Sequence, residues 1–203
     1  MLMIEFRNVS FGYEPEKLVL DRFSFTLNTG DRLVFTGDSG SGKTTVLRLL
    51  LGLEHPTNGV IIKPENCRFS TVFQEDRLLP SLSVEQNILI VGSFRRHSPE
   101  EADFYDFVGS LIKSAGLYEF SKKYPSELSG GQKRRVSLLR AIAYGGDVLL
   151  LDEPLKGLDF SMKQRMADLI TTSFDSILLV SHDNDEVELL KCTRRMHLPS
   201  KLL

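Results

Sequence analysis

The chain has 203 residues, 41% hydrophobic and 26% charged, with only 15 glycines and 8 prolines; these proportions exclude a disordered or fibrous protein and fit a globular domain with a sizeable core. Its net charge of −2 argues against a dedicated nucleic-acid binder, which carries a strongly basic face, so any phosphate must be gripped locally by a loop. The two cysteines, Cys67 and Cys192, show no CxxC or Cys/His spacing and read as thiols in a reducing compartment.

The N-terminal stretch "MLMIEFRNVSFGYE" lacks the basic start and apolar run of a secretory signal. No window approaches the roughly 18 to 20 unbroken apolar residues of a membrane span. A cytoplasmic protein is expected, with other chains supplying the spans if it works at a membrane. "IEFRNVSFGY" and "FSFTLNTGDRLVFTG" read as short strands, with "NTG" as a hairpin corner. "RLVF" runs into a glycine loop, and "KTTVLRLLLGL" follows as an apolar helix ending at Gly52. "GVIIK" and "FSTVFQ" are further strands. From Glu75 to Gly131 the pattern turns helical: Ser83 and Gln86 have capping-box spacing, and Ser98, Pro99 and Glu101 open a second helix. Beyond it, "GGQKRRVSLLRAIAYG" is helical, "DVLLLDE" a strand, "SMKQRMADLITTSF" a helix and "SILLVSH" a strand. "DVLLL" and "SILLV" are continuous apolar runs, the signature of parallel strands covered on both faces. Met162, Met166, Leu169, Ile170 and Phe174 form a core-facing stripe. The expected architecture is one α/β domain over 1–203, with a nucleotide-binding core from 1–74 and 132–203 and an inserted helical lobe at 75–131.

"GDSGSGKT" fits G-x-x-x-x-G-K-[ST] at Gly37, Gly42, Lys43 and Thr44, between a predicted strand and a predicted helix, the context this phosphate loop requires. Its glycines let backbone N–H groups converge on an anion at a helix N-terminus. Lys43 supplies charge to the outer phosphates, and the Thr44 hydroxyl can ligate Mg²⁺. The candidate nucleotide-binding residues are Gly37, Asp38, Ser39, Gly40, Ser41, Gly42, Lys43, Thr44 and the adjoining Thr45.

"VLLLDEP" puts Asp152 and Glu153 at the C-terminal end of a parallel strand, where open α/β sheets bind ligands. Asp152 would hold Mg²⁺, and Glu153 would orient and deprotonate the attacking water. His182 ends the next apolar strand and should emerge on the same edge. From spacing alone it is either a contact to the γ-phosphate or a structural histidine. Tyr13 is either a base-stacking ring or a packed aromatic, and Gln74 is a possible metal ligand.

"LSGGQ" at 128–132 is a second anion-seeking corner. Ser129, Gly130, Gly131 and Gln132 open a helix far along the chain from the first loop. One nucleotide cannot easily occupy both corners of one chain. A head-to-tail dimer resolves this, each copy's 128–132 closing over the nucleotide at 37–44 of the other. The γ-phosphate then ties the halves together, and hydrolysis releases them. Lys133 and Arg134 follow in the helix's first turn, where the dipole disfavours cations; they face either phosphate across the dimer or solvent, and solvent is the preferred expectation.

Taken in order, "GDSGSGKT", "VFQE", "LSGGQKRRVSLLRA", "VLLLDEP", "GLD" and "LLVSHD" resemble the ATP-binding subunit of an ABC transporter, of importer type, over most of the chain. The resemblance implies a P-loop NTPase core with a small antiparallel β subdomain and a helical subdomain, with ATP and Mg²⁺ bound. It implies that Tyr13 stacks on adenine, that Gln74 senses metal and membrane partner, that His182 is the switch histidine and that Asp159 crosses the dimer interface. Lys43, Glu153 and His182 make up the catalytic set. It further implies transmembrane permease subunits, a second copy or a paralogue, an extracytoplasmic binding protein and a location on the cytoplasmic face of the membrane. Leu155-Lys156 departs from the small polar pair often found after that proline in the family. The competing reading is a soluble ABC ATPase acting on DNA or ribosomes; the chain has neither the long coiled coil nor the tandem domains of such proteins.

Overall fold

The computed structural model describes residues 3–14, 16–94 and 101–198. Strands β1 (Met3–Phe11) and β2 (Leu20–Asn28) pair antiparallel, and β4 (Asn58–Ile62) adds to the other edge of β1, giving the order β2-β1-β4. The second sheet is parallel, in the order β5-β6-β7-β3-β8, from β3 (Arg32–Thr36), β5 (Phe69–Val72), β6 (Val148–Asp152), β7 (Ile177–Val180) and β8 (Arg194–His197). The helices are α1 (Lys43–Leu50), α2 (Val84–Leu89), α3 (Glu101–Ser114), α4 (Gly130–Tyr144), α5 (Phe160–Ser173) and α6 (Asn184–Leu189). Among the described residues, no helix is long and apolar enough to cross a membrane.

The unbroken apolar runs of β6 and β7 are explained by two cores, one on each face of the parallel sheet. Successive strand side chains alternate faces. Leu149, Leu151, Ile177 and Leu179 pack with α2 to α6, while Val148, Leu150, Leu178 and Val180 pack with α1 and the antiparallel sheet. Neither face meets water, so neither needs polar residues. The second core holds an aromatic cluster in which Phe25 lies 5.1 Å from Phe35, edge to face, and 4.7 Å from Phe6.

Three elements depart from the sequence expectation. The Asn28–Asp31 turn, closed by the Asp31 amide on the Asn28 carbonyl (3.1 Å), is not a hairpin corner: β2 and β3 belong to different sheets, because both edges of β3 are taken by β7 and β8. β8 and α6 follow His182 where polar residues hid any periodicity. Other expectations hold. α1 ends just before Gly52, which sits at φ 71°. Ser83 and Gln86 form a reciprocal capping box at α2. In α5, Met166 and Ile170 are buried, as is Phe174 just after it, with Met162 and Leu169 half-buried against them. Ser98 and Pro99 lie outside the described residues.

Candidate active site

The parallel register brings three strand ends to one line. Phe35 pairs with Val180, and Val180 pairs with Asp152. The loops leaving β3, β6 and β7 therefore open on the same edge, the ligand-binding edge of an α/β sheet. Between them lies a cleft of about 800 Å³, whose walls include residues of the 37–45 loop, Gln74, Asp152, Glu153, Lys156 and His182.

The glycine loop needs its glycines for space as well as for torsion. Gly37 has φ 143°, and a Cβ there would sit 2.4 Å from the Leu198 carbonyl oxygen. Gly42, the residue capping α1, has φ 95°, and a Cβ would press on Val19 and Leu20 at 3.0 Å. The loop folds round the Lys43 ammonium, which donates to the carbonyls of Gly37 (2.7 Å) and Asp38 (2.6 Å) and to Ser41 Oγ (3.3 Å). Asp38, Ser39, Gly40, Thr44 and Thr45 line the cleft with it, whereas Ser41 is buried beneath. Tyr13 reaches the same cleft, its hydroxyl 3.4 Å from Thr45 Oγ1 and its ring edge-on to Phe11, and it remains exposed.

Thr44 Oγ1 donates to Asp152 Oδ2 at 2.7 Å. Two hard oxygens at this spacing, with the Gln74 amide in the same cleft, fit a Mg²⁺ ion, which takes few protein ligands and completes its shell with water and phosphate oxygens. Burial pushes the Asp152 carboxyl above the ordinary aspartate value, and the Thr44 hydrogen bond opposes this.

Glu153 adopts a left-handed backbone, φ 46°, a conformation that costs a non-glycine residue of order 1–3 kcal/mol and persists only when its surroundings impose it. They do. Its amide donates to the Val180 carbonyl at 2.9 Å, and its carbonyl accepts from Arg134 at 2.5 Å. The carboxylate is held at both ends, with His182 Nδ1 3.0 Å from Oε1 and Lys156 Nζ 2.6 Å from Oε2. Burial raises the Glu153 carboxyl, but the hydrogen bond and charge of Lys156, helped by His182, outweigh it and leave it below the ordinary glutamate value.

Arg134 was expected in solvent and is not there. It is 4% exposed, and its guanidinium donates to the carbonyls of Phe73 (2.6 Å), Asp152 (2.8 Å) and Pro154 (2.8 Å) as well as Glu153. It also meets the Asp76 carboxylate at 3.2 Å. The fork of five donors suits a cluster of carbonyls that no lysine could satisfy. Its one visible signal was its awkward place in the first turn of a helix, where a cation needs a reason. A second overlooked residue is Glu186, 1% exposed. Its Oε1 accepts from the Leu155 amide (2.7 Å) and its Oε2 from the Ser181 hydroxyl (2.5 Å), tying the loop after β6 to the loop after β7.

Residues 129–132 stand apart. Ser129 caps α4 through a reciprocal box with Gln132, the Ser129 amide donating to Gln132 Oε1 at 2.7 Å. Ser129 and Gly130 are exposed, Gly131 and Gln132 half-buried, and none of the four is among the walls of the cleft. Asp159 likewise lies off the cleft; it is the N-cap of α5, accepting from the Met162 amide at 3.0 Å.

A strand–glycine loop–helix unit beside an Asp-Glu strand end defines the class as a P-loop nucleotide triphosphatase. The comparisons narrow it. The sequence profile of the ABC transporter family matches residues 20–156. The aliphatic sulfonates import ATP-binding protein SsuB 1 of Rhodococcus jostii is 40% identical over 180 residues, covering 85% of this chain and 70% of the relative. The nitrate import ATP-binding protein NrtD of Synechocystis is 34% identical over 196 residues, covering 92% and 73%. A solved dimeric structure of the ATP-binding cassette MJ0796 with ADP and Pi superposes with a TM-score of 0.84 at 25% identity, covering 96% of this chain and 94% of that one. The chain belongs to the ABC transporter family, as an ATP-binding subunit, in a family of ATP-hydrolysing cassettes.

Proposed function

We propose that this chain is the ATP-hydrolysing motor subunit of a solute importer, acting on separate transmembrane permease subunits at the cytoplasmic face of the membrane and served by an extracytoplasmic binding protein. The observation that carries the chemistry is the convergence on one cleft of the 37–45 loop, the Thr44–Asp152 oxygen pair at 2.7 Å and the His182–Glu153 pair at 3.0 Å.

In this reading the amides of the glycine loop and Lys43 bind the β- and γ-phosphates of ATP, and Tyr13 stacks on the base. Thr44, Asp152 and Gln74 hold Mg²⁺, which when bound neutralises charge on the phosphate oxygens. Glu153 accepts a proton from the water that attacks the γ-phosphorus, releasing ADP and phosphate. His182, anchored on Glu153 Oε1, contacts the γ-phosphate. Import as the direction rests on the relatives, which are named as import ATP-binding subunits.

The exposed capped start of α4, away from the cleft of its own chain, supports a composite site. Ser129, Gly130, Gly131 and Gln132 of one copy close over ATP held by the other, with Asp159 at the interface. A paralogous ATPase subunit would serve the same geometry. The helical lobe at 75–131 then carries α2, α3 and the signature, while 1–74 and 132–203 carry the nucleotide core.

Glu153→Gln removes the base and keeps the phosphate contacts, so turnover should fall by about 100-fold or more while ATP affinity stays within a few-fold. Steady-state phosphate release with parallel ATP titration measures both. Wild-type turnover in this variant would overturn the assignment of Glu153.

A further inference from the structure

Lys156 lines the nucleotide cleft beside the general base. Its Nζ meets Glu153 Oε2 at 2.6 Å, three residues back in the chain. The turn between them is built to hold that pairing. The Lys156 amide turns back toward the Glu153 carbonyl (3.4 Å), Arg134 fixes the carbonyls of Asp152, Glu153 and Pro154, and Glu186 takes the Leu155 amide. Leu155, between them, is fully buried. Lys156 thus stands on a fixed stretch of backbone, from which its partly exposed stem reaches the carboxylate.

A glutamate's terminal torsion is broad, so a carboxylate held at one oxygen alone still swings. His182 holds Oε1 with a side chain that is 71% exposed, and Lys156 holds Oε2 with one that is 59% exposed, so either contact alone is weak and the carboxylate is fixed by the two together. The ion pair on Oε2 supplies the second fixed point. We propose that Lys156 is a positioning residue for Glu153, clamping Oε2 so that the carboxylate keeps the orientation in which it meets the attacking water. The proposal rests on Glu153 being the base, and Lys156 acts through that carboxylate, not on phosphate. Positioning matters here because a displacement of about 1 Å in a reacting geometry can cost on the order of 100-fold in rate.

The test is ATP hydrolysis by the full chain, wild type and Lys156→Met, Lys156→Arg, Glu153→Gln and the Glu153→Gln/Lys156→Met double variant. Lys156→Met should lower kcat by about 10-fold or more with KM for ATP within twofold, and Lys156→Arg should restore most of it, since a guanidinium also bridges to a carboxylate. The double variant should be no slower than Glu153→Gln alone, because the clamp has nothing left to position. A raised KM with kcat intact would make Lys156 a phosphate ligand and overturn the proposal. So would an unchanged or increased kcat, or losses that multiply in the double variant. Should Glu153→Gln itself turn over at the wild-type rate, the assignment of the base falls and the clamp with it; an inactive Glu153→Gln beside a fully active Lys156→Met sinks the clamp alone.

Discussion

Replacing Arg134 with methionine would leave the carbonyls of Phe73, Asp152, Glu153 and Pro154 without the donors that now satisfy them. Each buried unsatisfied acceptor costs about 1–3 kcal/mol, although relaxation and water recover part of the loss. A fall of roughly 3 kcal/mol in unfolding free energy is expected, read as a shift of the urea midpoint, with loss of turnover because the backbone of Glu153 is no longer held in its left-handed conformation. Stability within about 0.5 kcal/mol of wild type would show that these carbonyls find other partners. The chemistry of Arg134 could not be read along the chain, since its acceptors come from two loops about 60 and 20 positions away in sequence. Lys43, Thr44, Asp152 and Glu153 were legible because their spacing is itself the motif. Lys156 was visible as an oddity; its bond to Glu153, and the left-handed backbone of that residue, are not announced by any spacing.

At the scale of elements, the site is assembled by strand register and then locked between loops. Glu186, at the start of α6, is the lock between the loops after β6 and β7. Burial raises its carboxyl above the ordinary glutamate value of 4.5, with the Ser181 hydrogen bond pulling the other way. A carboxyl whose folded value is raised binds its proton more tightly folded than unfolded. Its contribution to stability is therefore full below pH 4.5 and is lost as pH climbs through the raised folded value. Glu186→Gln keeps an oxygen for the Leu155 amide and cannot ionise. The urea midpoint of the variant relative to wild type should rise as pH climbs above 4.5 and then level off; a difference independent of pH would contradict the buried charge. The strands that carry the site were legible from their apolar runs, and the capping box at Ser83 from its spacing. β8 was not. "RRMH" has no apolar period, and it becomes a strand because β3 offers it an open edge. The turn at "NTG" has hairpin residues, yet tertiary pairing sends its second strand to another sheet.

On the scale of the whole molecule, two cores on opposite faces of one parallel sheet make a firm platform, and the nucleotide cleft opens at its carboxyl edge. The signature start of α4 is exposed and lies outside that cleft, which in a single chain leaves its donors with no phosphate to bind. This separation supports the proposed reading, in which ATP joins two half-sites and hydrolysis parts them. Light scattering on the purified Glu153→Gln variant, with and without ATP and Mg²⁺, tests it most directly. A mass of one chain without nucleotide and of two chains with ATP is the predicted result. A mass of one chain under both conditions, with ATP demonstrably bound, would contradict it.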